Sequence, residues 1–169
     1  MHTIEAVKGL DGENWASAWM GTGARFLKQA EERELAGDVD SAQGAYYQAY
    51  GFHFLGRFPC PNHAAKEACY QQELKAYEKF GAMADPPIHP FSIPFDAPHA
   101  LSSEIRFYLC KPKEVARPPV VIMWGGVDAW KEEMTDSRRR SWPWAQHHPE
   151  LDGRRIDTAE TLQVCPAWS

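Results

Sequence analysis

No apolar run in this 169-residue chain exceeds the five residues Val120–Trp124. That is far short of the twenty or so needed to cross a bilayer, so no membrane partner is expected. The opening residues, MHTIEAVKGL, lack the apolar core of a secretory signal, and a soluble, cytoplasmic setting is the expectation. Basic residues are not in excess either: 18 Lys and Arg stand against 23 Asp and Glu, for a net charge of -5. Without a broad basic surface to neutralise phosphates, nucleic acid is not expected as a partner. Cysteine is scarce, and Cys60, Cys69, Cys110 and Cys165 are too scattered for a disulfide framework. Cys60, His63 and Cys69 in CPNHAAKEAC match no common zinc spacing and have no evident fourth ligand. Idle or buried thiols are expected there, with no metal and no cofactor.

What is present is globular in kind. Apolar residues make up 44% of the chain, enough for one ordinary domain, or for a small domain plus part of another. The stretch from Glu13 to about Gly81 reads as helical. Phe26, Leu27 and Ala30 mark the apolar face of a first helix, and Gly37 suits the position that closes it. Asp40 is the expected N-cap of a second helix, which carries Ala42, Ala45, Tyr46, Ala49 and His53 on one face. A third helix is expected from about Asn62 to Gly81, with Ala65, Ala68, Cys69, Gln72 and Ala76 inward. The turn LAGDVDSAQGAYYQAY resembles a tetratricopeptide helical pair, although no second copy follows at the period such repeats need.

At Asp85 the texture changes. DPPIHPFSIPFDAPH places five prolines in fifteen residues, which excludes a helix and favours a linker or an edge strand. EIRFYLCKP alternates, with Ile105, Phe107 and Leu109 on one side and Arg106, Tyr108 and Cys110 on the other. VVIMW reads as a strand buried on both faces. Helices followed by strands predict an α+β chain of two units, 1–84 and 85–140, the second with three strands at most. Residues 141–169 show no sustained period and are assigned no place in a sheet.

The strand VVIMW runs straight into Gly125-Gly126, and that junction is the candidate site. Glycine there lets the backbone pass close to something or adopt positive φ. Two N–H groups from such a turn can stabilise a developing oxyanion; the plainer alternative is a tight turn without chemistry. Other candidates carry less. GTGARF, from Gly21, has no strand before it and no lysine at phosphate-loop spacing, so a helix break is expected. Arg138–Arg140 lie among acids and read as a solvated face. His53 on its apolar stripe reads as a core histidine, and Tyr46, Tyr47 and Tyr50 as helix packing.

The stretches GDVDSAQGAYYQAY, FHFLGRFP, IPF and above all GGVDAWKEE, in this order, resemble one group of α/β-hydrolases. That group has a helical domain ahead of the hydrolase core. It includes the fungal polyketide-shortening hydrolases of pigment pathways and the bacterial dihydroxypseudooxynicotine hydrolases. The resemblance covers about Trp15 to Arg140. It implies a helical lid followed by the first strands of an incomplete hydrolase core. It places Gly125, Gly126 and Val127 in an oxyanion hole, with Asp128, Lys131, Glu132 and Glu133 beside the pocket. It further implies a polyketide-like small molecule as substrate, in secondary metabolism and pigment biosynthesis. The chemistry would be hydrolysis of a carbon–carbon or ester bond by a serine activated through histidine and aspartate.

The nucleophile of that mechanism is absent from the sequence. An α/β-hydrolase presents its serine in a G-x-S-x-G elbow, and none of Ser17, Ser41, Ser92, Ser102, Ser103, Ser137, Ser141 or Ser169 stands in one. His147 and His148 lie in the unassigned tail without a positioned partner. A truncated hydrolase without hydrolytic activity is therefore the expectation. Two other readings stand beside it: a small helical protein-binding module, and a truncated gene product with no function.

Overall fold

In the computed structural model the described residues are 3–98, 102–111, 120–125, 129–135 and 160–164. They divide into two compact units, Met1–Ala84 and Asp85–Ser169. The architecture is α+β: three helices, then a small sheet.

The first unit is built from α1 (Gly12–Leu35), α2 (Val39–Arg57) and α3 (Ala64–Ala82). Each has a side-chain cap at its start: Asp11 accepts from the Asn14 N–H, Asp38 from the Ser41 N–H, and the His63 ring from the Ala65 N–H. The cap of α2 is thus Asp38, two residues before the expected Asp40 and directly after Gly37, which turns the chain at φ 78°. GTGARF lies inside α1 without a break. Gly23 is there for space: a β-carbon on it would stand 2.6 Å from the His53 ring of α2.

Small residues set how closely the helices approach. Ala16 and Ala30 of α1, Ala42, Ala45 and Ala49 of α2, and Ala76 of α3 are all buried. At Gly56 a β-carbon would meet the Cys69 sulfur at 2.6 Å, so α2 and α3 pack almost backbone to side chain. Larger groups fill the remainder: Phe26 stacks on Phe52 at 5.3 Å, and Tyr77 lies 5.3 Å from Tyr50. The buried face of α3 differs from the expected one. Ala68 is exposed, and Glu73 is wholly buried. The guanidinium of Arg57 explains this, with its Nε 2.9 Å from Glu73 Oε2 and the pair shut away from water. No described helix is long and apolar enough to cross a membrane.

The second unit is a four-stranded sheet in the order β1-β2-β4-β3. The strands are β1 (Ile88–Pro94), β2 (Glu104–Cys110), β3 (Val120–Trp124) and β4 (Glu160–Val164). β1 is an edge strand, where Pro90 and Pro94 cost the sheet no ladder bond. It pairs antiparallel with β2, with Phe91 opposite Phe107. β4 lies antiparallel to β2 and parallel to β3. Two expectations are corrected here. Residues 160–164 join the sheet, so it has four strands rather than three. β3 is not buried on both faces, because Val120, Ile122 and Trp124 are exposed.

Candidate active site

The second unit places its candidate site just after β3. Gly125 answers to a close approach rather than to an unusual backbone angle. Its φ is not left-handed, and a β-carbon on it would stand 2.2 Å from the carbonyl oxygen of Ala129. Gly125, at the end of the strand, and Ala129 therefore stand within van der Waals reach of each other. No other residue type fits that point without moving backbone. Gly126 and Val127, the other residues expected in the oxyanion hole, and Asp128, expected beside the pocket, lie outside the described residues.

Beyond the loop, Lys131–Glu133 make one 3-10 turn. Its start is clamped twice: the Trp130 N–H donates to Glu133 Oε1 at 2.8 Å, and the Glu133 N–H donates to the Trp130 carbonyl at 3.0 Å. Glu133 is therefore a structural cap. Lys131 and Glu132 turn inward and are buried, although two adjacent charges in a sequence suggest a solvated face. Lys131 Nζ stands 2.5 Å from Glu132 Oε1 and 5.3 Å from the centre of the Tyr108 ring. The Tyr108 hydroxyl, from the middle of β2, donates to the same carboxylate oxygen at 3.3 Å. The other oxygen, Glu132 Oε2, is buried with no hydrogen-bond partner. Tyr108 thus ties the turn that follows the glycine loop to the sheet. The sequence showed no sign of this. In the sequence Tyr108 reads only as one face of an alternating strand.

Chemically, the described part of the site offers a rigid loop base and a buried ion pair. It contains no serine: Ser92 and Ser102 both serve Glu104, as hydrogen-bond partners of its carboxylate and backbone. Ser137, Ser141, His147 and His148 lie outside the described residues. In the helical unit, His63 is engaged as a helix cap and Cys69 packs under Gly56. Cys60 is exposed. His53 is a core residue, fully buried, with both ring nitrogens unpartnered, and burial pulls its pKa down to about 4. A groove of about 370 Å³ runs along α2, lined by Tyr47, Tyr50, Phe52, Phe54 and Leu55 among others.

A helical unit followed in sequence by a small sheet is an arrangement that the chain shares with α/β-hydrolases, the class it resembles. In particular, it is 26% identical over 136 residues to the α/β-hydrolase gkaG of Penicillium citrinum, covering 78% of this chain and 31% of that protein. It is likewise 26% identical over 142 residues to the hydrolase ORFZ of Pyricularia oryzae, covering 79% of this chain and 33% of that one. The chain spans about a third of the length of these relatives. Among solved structures, the 2,6-dihydroxy-pseudo-oxynicotine hydrolase shares its fold over 96% of this chain and 41% of its own, with a TM-score of 0.69 and 17% identity. AbyA5 matches with a TM-score of 0.52 at 20% identity, over 96% of this chain and 38% of its own. No protein-family model matches the chain.

Proposed function

We propose that these 169 residues are the helical lid and the first strands of the core of a polyketide-shortening α/β-hydrolase. It works in the cytoplasm, in secondary metabolism and pigment formation, and this stretch does not hydrolyse the substrate by itself. One observation carries the reading. The chain shares the hydrolase fold over 96% of its length, yet none of its eight serines stands in a G-x-S-x-G elbow. In this reading Gly125, Gly126 and Val127 supply oxyanion-hole backbone, and Lys131 and Glu132 hold that loop to the sheet. The substrate is a polyketide-like ring system that stacks in the aromatic groove along α2. Tyr47, Tyr50, Phe52 and Phe54 offer π-faces there, and Gln48 a polar group.

Treatment with a fluorophosphonate, which labels activated serines, tests the first half, alongside turnover of an aryl acetate. No label and no turnover above the buffer rate are expected. A single labelled serine with matching ester hydrolysis would overturn the reading. For the second half, quenching of tryptophan fluorescence by an acyl-substituted naphthol is expected, weakened about tenfold by Phe54→Ala. Equal quenching in the variant removes the groove as the binding place.

A further inference from the structure

Glycine weakens a helix interior more than any residue but proline, and Gly51 stands well inside α2. Its φ is not left-handed, so no turn requires it. Packing does not require it either. Gly23 and Gly56 show what a packing reason looks like, since a β-carbon on either would stand 2.6 Å from a side chain of a neighbouring helix. At Gly51 a β-carbon would meet no atom within 4 Å. Among the described residues nothing fills the space that this glycine leaves.

That space is the floor of the groove along α2. Helical spacing surrounds position 51 with positions 47, 48, 54 and 55, and Tyr47, Gln48, Phe54 and Leu55 all line the groove together with Gly51. Tyr47 and Phe54 fall on one side. Tyr50 extends that side, its ring centre 5.7 Å from that of Tyr47 and 6.4 Å from that of Phe54. Gln48 and Leu55 fall on the other side, with Phe52 beyond them. The groove is therefore a notch one missing side chain wide, with a backbone floor, one aromatic wall, and one wall that carries an amide. Its volume of about 370 Å³ suits a small fused-ring molecule. A partner helix would need the same lining to recur along α2. It does not recur: around Gly44, two turns earlier, the corresponding positions hold Asp40, Ser41, Tyr47 and Gln48.

We propose that Gly51 determines the specificity of this groove by admitting a planar aromatic ligand edge-first. The ring lays an unsubstituted edge on the α2 backbone and stacks against Tyr47 and Phe54. The Gln48 amide at the rim donates to a phenol or carbonyl oxygen of the ligand. Rings with bulk on the leading edge are shut out by the walls. The inference rests on the substrate reading above and adds the shape of molecule that the groove accepts.

A methyl group at position 51 should move two readouts in opposite directions. In the full 169-residue chain, Gly51→Ala should raise the urea midpoint, because the methyl has room and the helix gains stability. The same variant should weaken quenching by the acyl-substituted naphthol about tenfold, because the methyl occupies the floor. Trp19, whose ring centre lies 6.3 Å from that of Phe52, reports occupancy. Gly44→Ala is the control, since a β-carbon there also meets nothing within 4 Å. It should raise the midpoint and leave quenching as in the parent. A naphthol with a tert-butyl group on each ring should bind the parent about tenfold more weakly than the flat one. A lowered midpoint in Gly51→Ala overturns the proposal, because the glycine would then serve the fold. Equal binding of the bulky naphthol overturns it as well. Should Phe54→Ala weaken quenching while Gly51→Ala does not, the ring rests on the wall without reaching the floor; the proposal falls and the substrate reading stands. No quenching of the parent chain overturns both.

Discussion

Arg57 Nε donates to Glu73 Oε2 at 2.9 Å, and neither side chain reaches solvent, so α2 and α3 are joined by an ion pair inside their core. Arg57 also donates to the Pro59 carbonyl at 3.2 Å and lies 4.7 Å from the centre of the Phe54 ring. Its remaining hydrogen-bonding capacity is therefore partly met. Removing one partner strands the other charge in a dry site. Glu73→Ala should destabilise the helical unit by about 3–5 kcal/mol. The double variant Arg57→Met/Glu73→Leu should regain most of that loss, because burying two apolar groups of similar size is close to neutral. Urea unfolding followed by tryptophan emission measures both. A double variant no better than the single one would mean that the pair is specifically required.

The buried imidazole of His53 makes the helical unit sensitive to acid. Its pKa falls from 6.5 to about 4 because burial disfavours the charged ring. The unfolded chain then binds a proton between those two values that the folded chain refuses. Stability is accordingly full above pH 6.5 and declines as the pH falls toward 4. The loss amounts to about 3 kcal/mol at most. His53→Leu should flatten the change in urea midpoint between pH 7 and pH 4.5. An unchanged slope in the variant would place the acid sensitivity elsewhere.

The helical face of α2 was legible because its apolar residues recur at helical spacing: Ala42, Ala45, Tyr46, Ala49 and His53 are all buried. Periodicity ranks residues by type, and so it failed at Glu73. This carboxylate sits on the same stripe as Cys69 and Ala76, and its partner Arg57 lies on another helix. β3 failed for a related reason. Five apolar residues in a row look the same whether one face or both are covered, and coverage depends on elements elsewhere. β4, ETLQV, was hidden in a stretch with no period of its own, since its place comes from pairing with β2 and β3. At the site, the glycine after an apolar strand did announce a close approach. The burial of Lys131 and Glu132 did not, because adjacent charges carry no sign of a tyrosine waiting on a neighbouring strand.

Gly125→Ala tests the loop directly. The added methyl carbon would stand 2.2 Å from the Ala129 carbonyl oxygen, and backbone cannot step aside as a flexible side chain can. Overpacking of this kind costs about 1–3 kcal/mol. The effect should be local: faster amide exchange at Trp130 and Glu133, whose mutual hydrogen bonds hold the following turn, with the helical unit's unfolding midpoint unchanged. Unaltered exchange at both amides would show that the loop base has room the geometry denies it.

Lys131 and Glu132 give the sharpest contrast between a structural and an incidental pair. A surface pair of neighbouring charges contributes about 0–1 kcal/mol, so neutralising either member would leave the sheet unit unaffected. This pair is buried, held at 2.5 Å, and shares its carboxylate oxygen with the Tyr108 hydroxyl. Lys131→Met should then cost about 3–5 kcal/mol, because Glu132, which already has one unpartnered oxygen, is left charged in a dry site. Glu132→Gln should cost less, since the amide carbonyl keeps an acceptor for both the Tyr108 hydroxyl and the Lys131 ammonium. Lys131→Met/Glu132→Gln should recover part of the loss, as no buried charge remains. Proteolysis at limiting protease, with cleavage read by mass at 125–135, ranks the three variants. Cleavage rates in the order Lys131→Met, then the double variant, then Glu132→Gln would confirm that the ion pair pins the loop to β2. Equal rates for all three would reduce it to a surface contact.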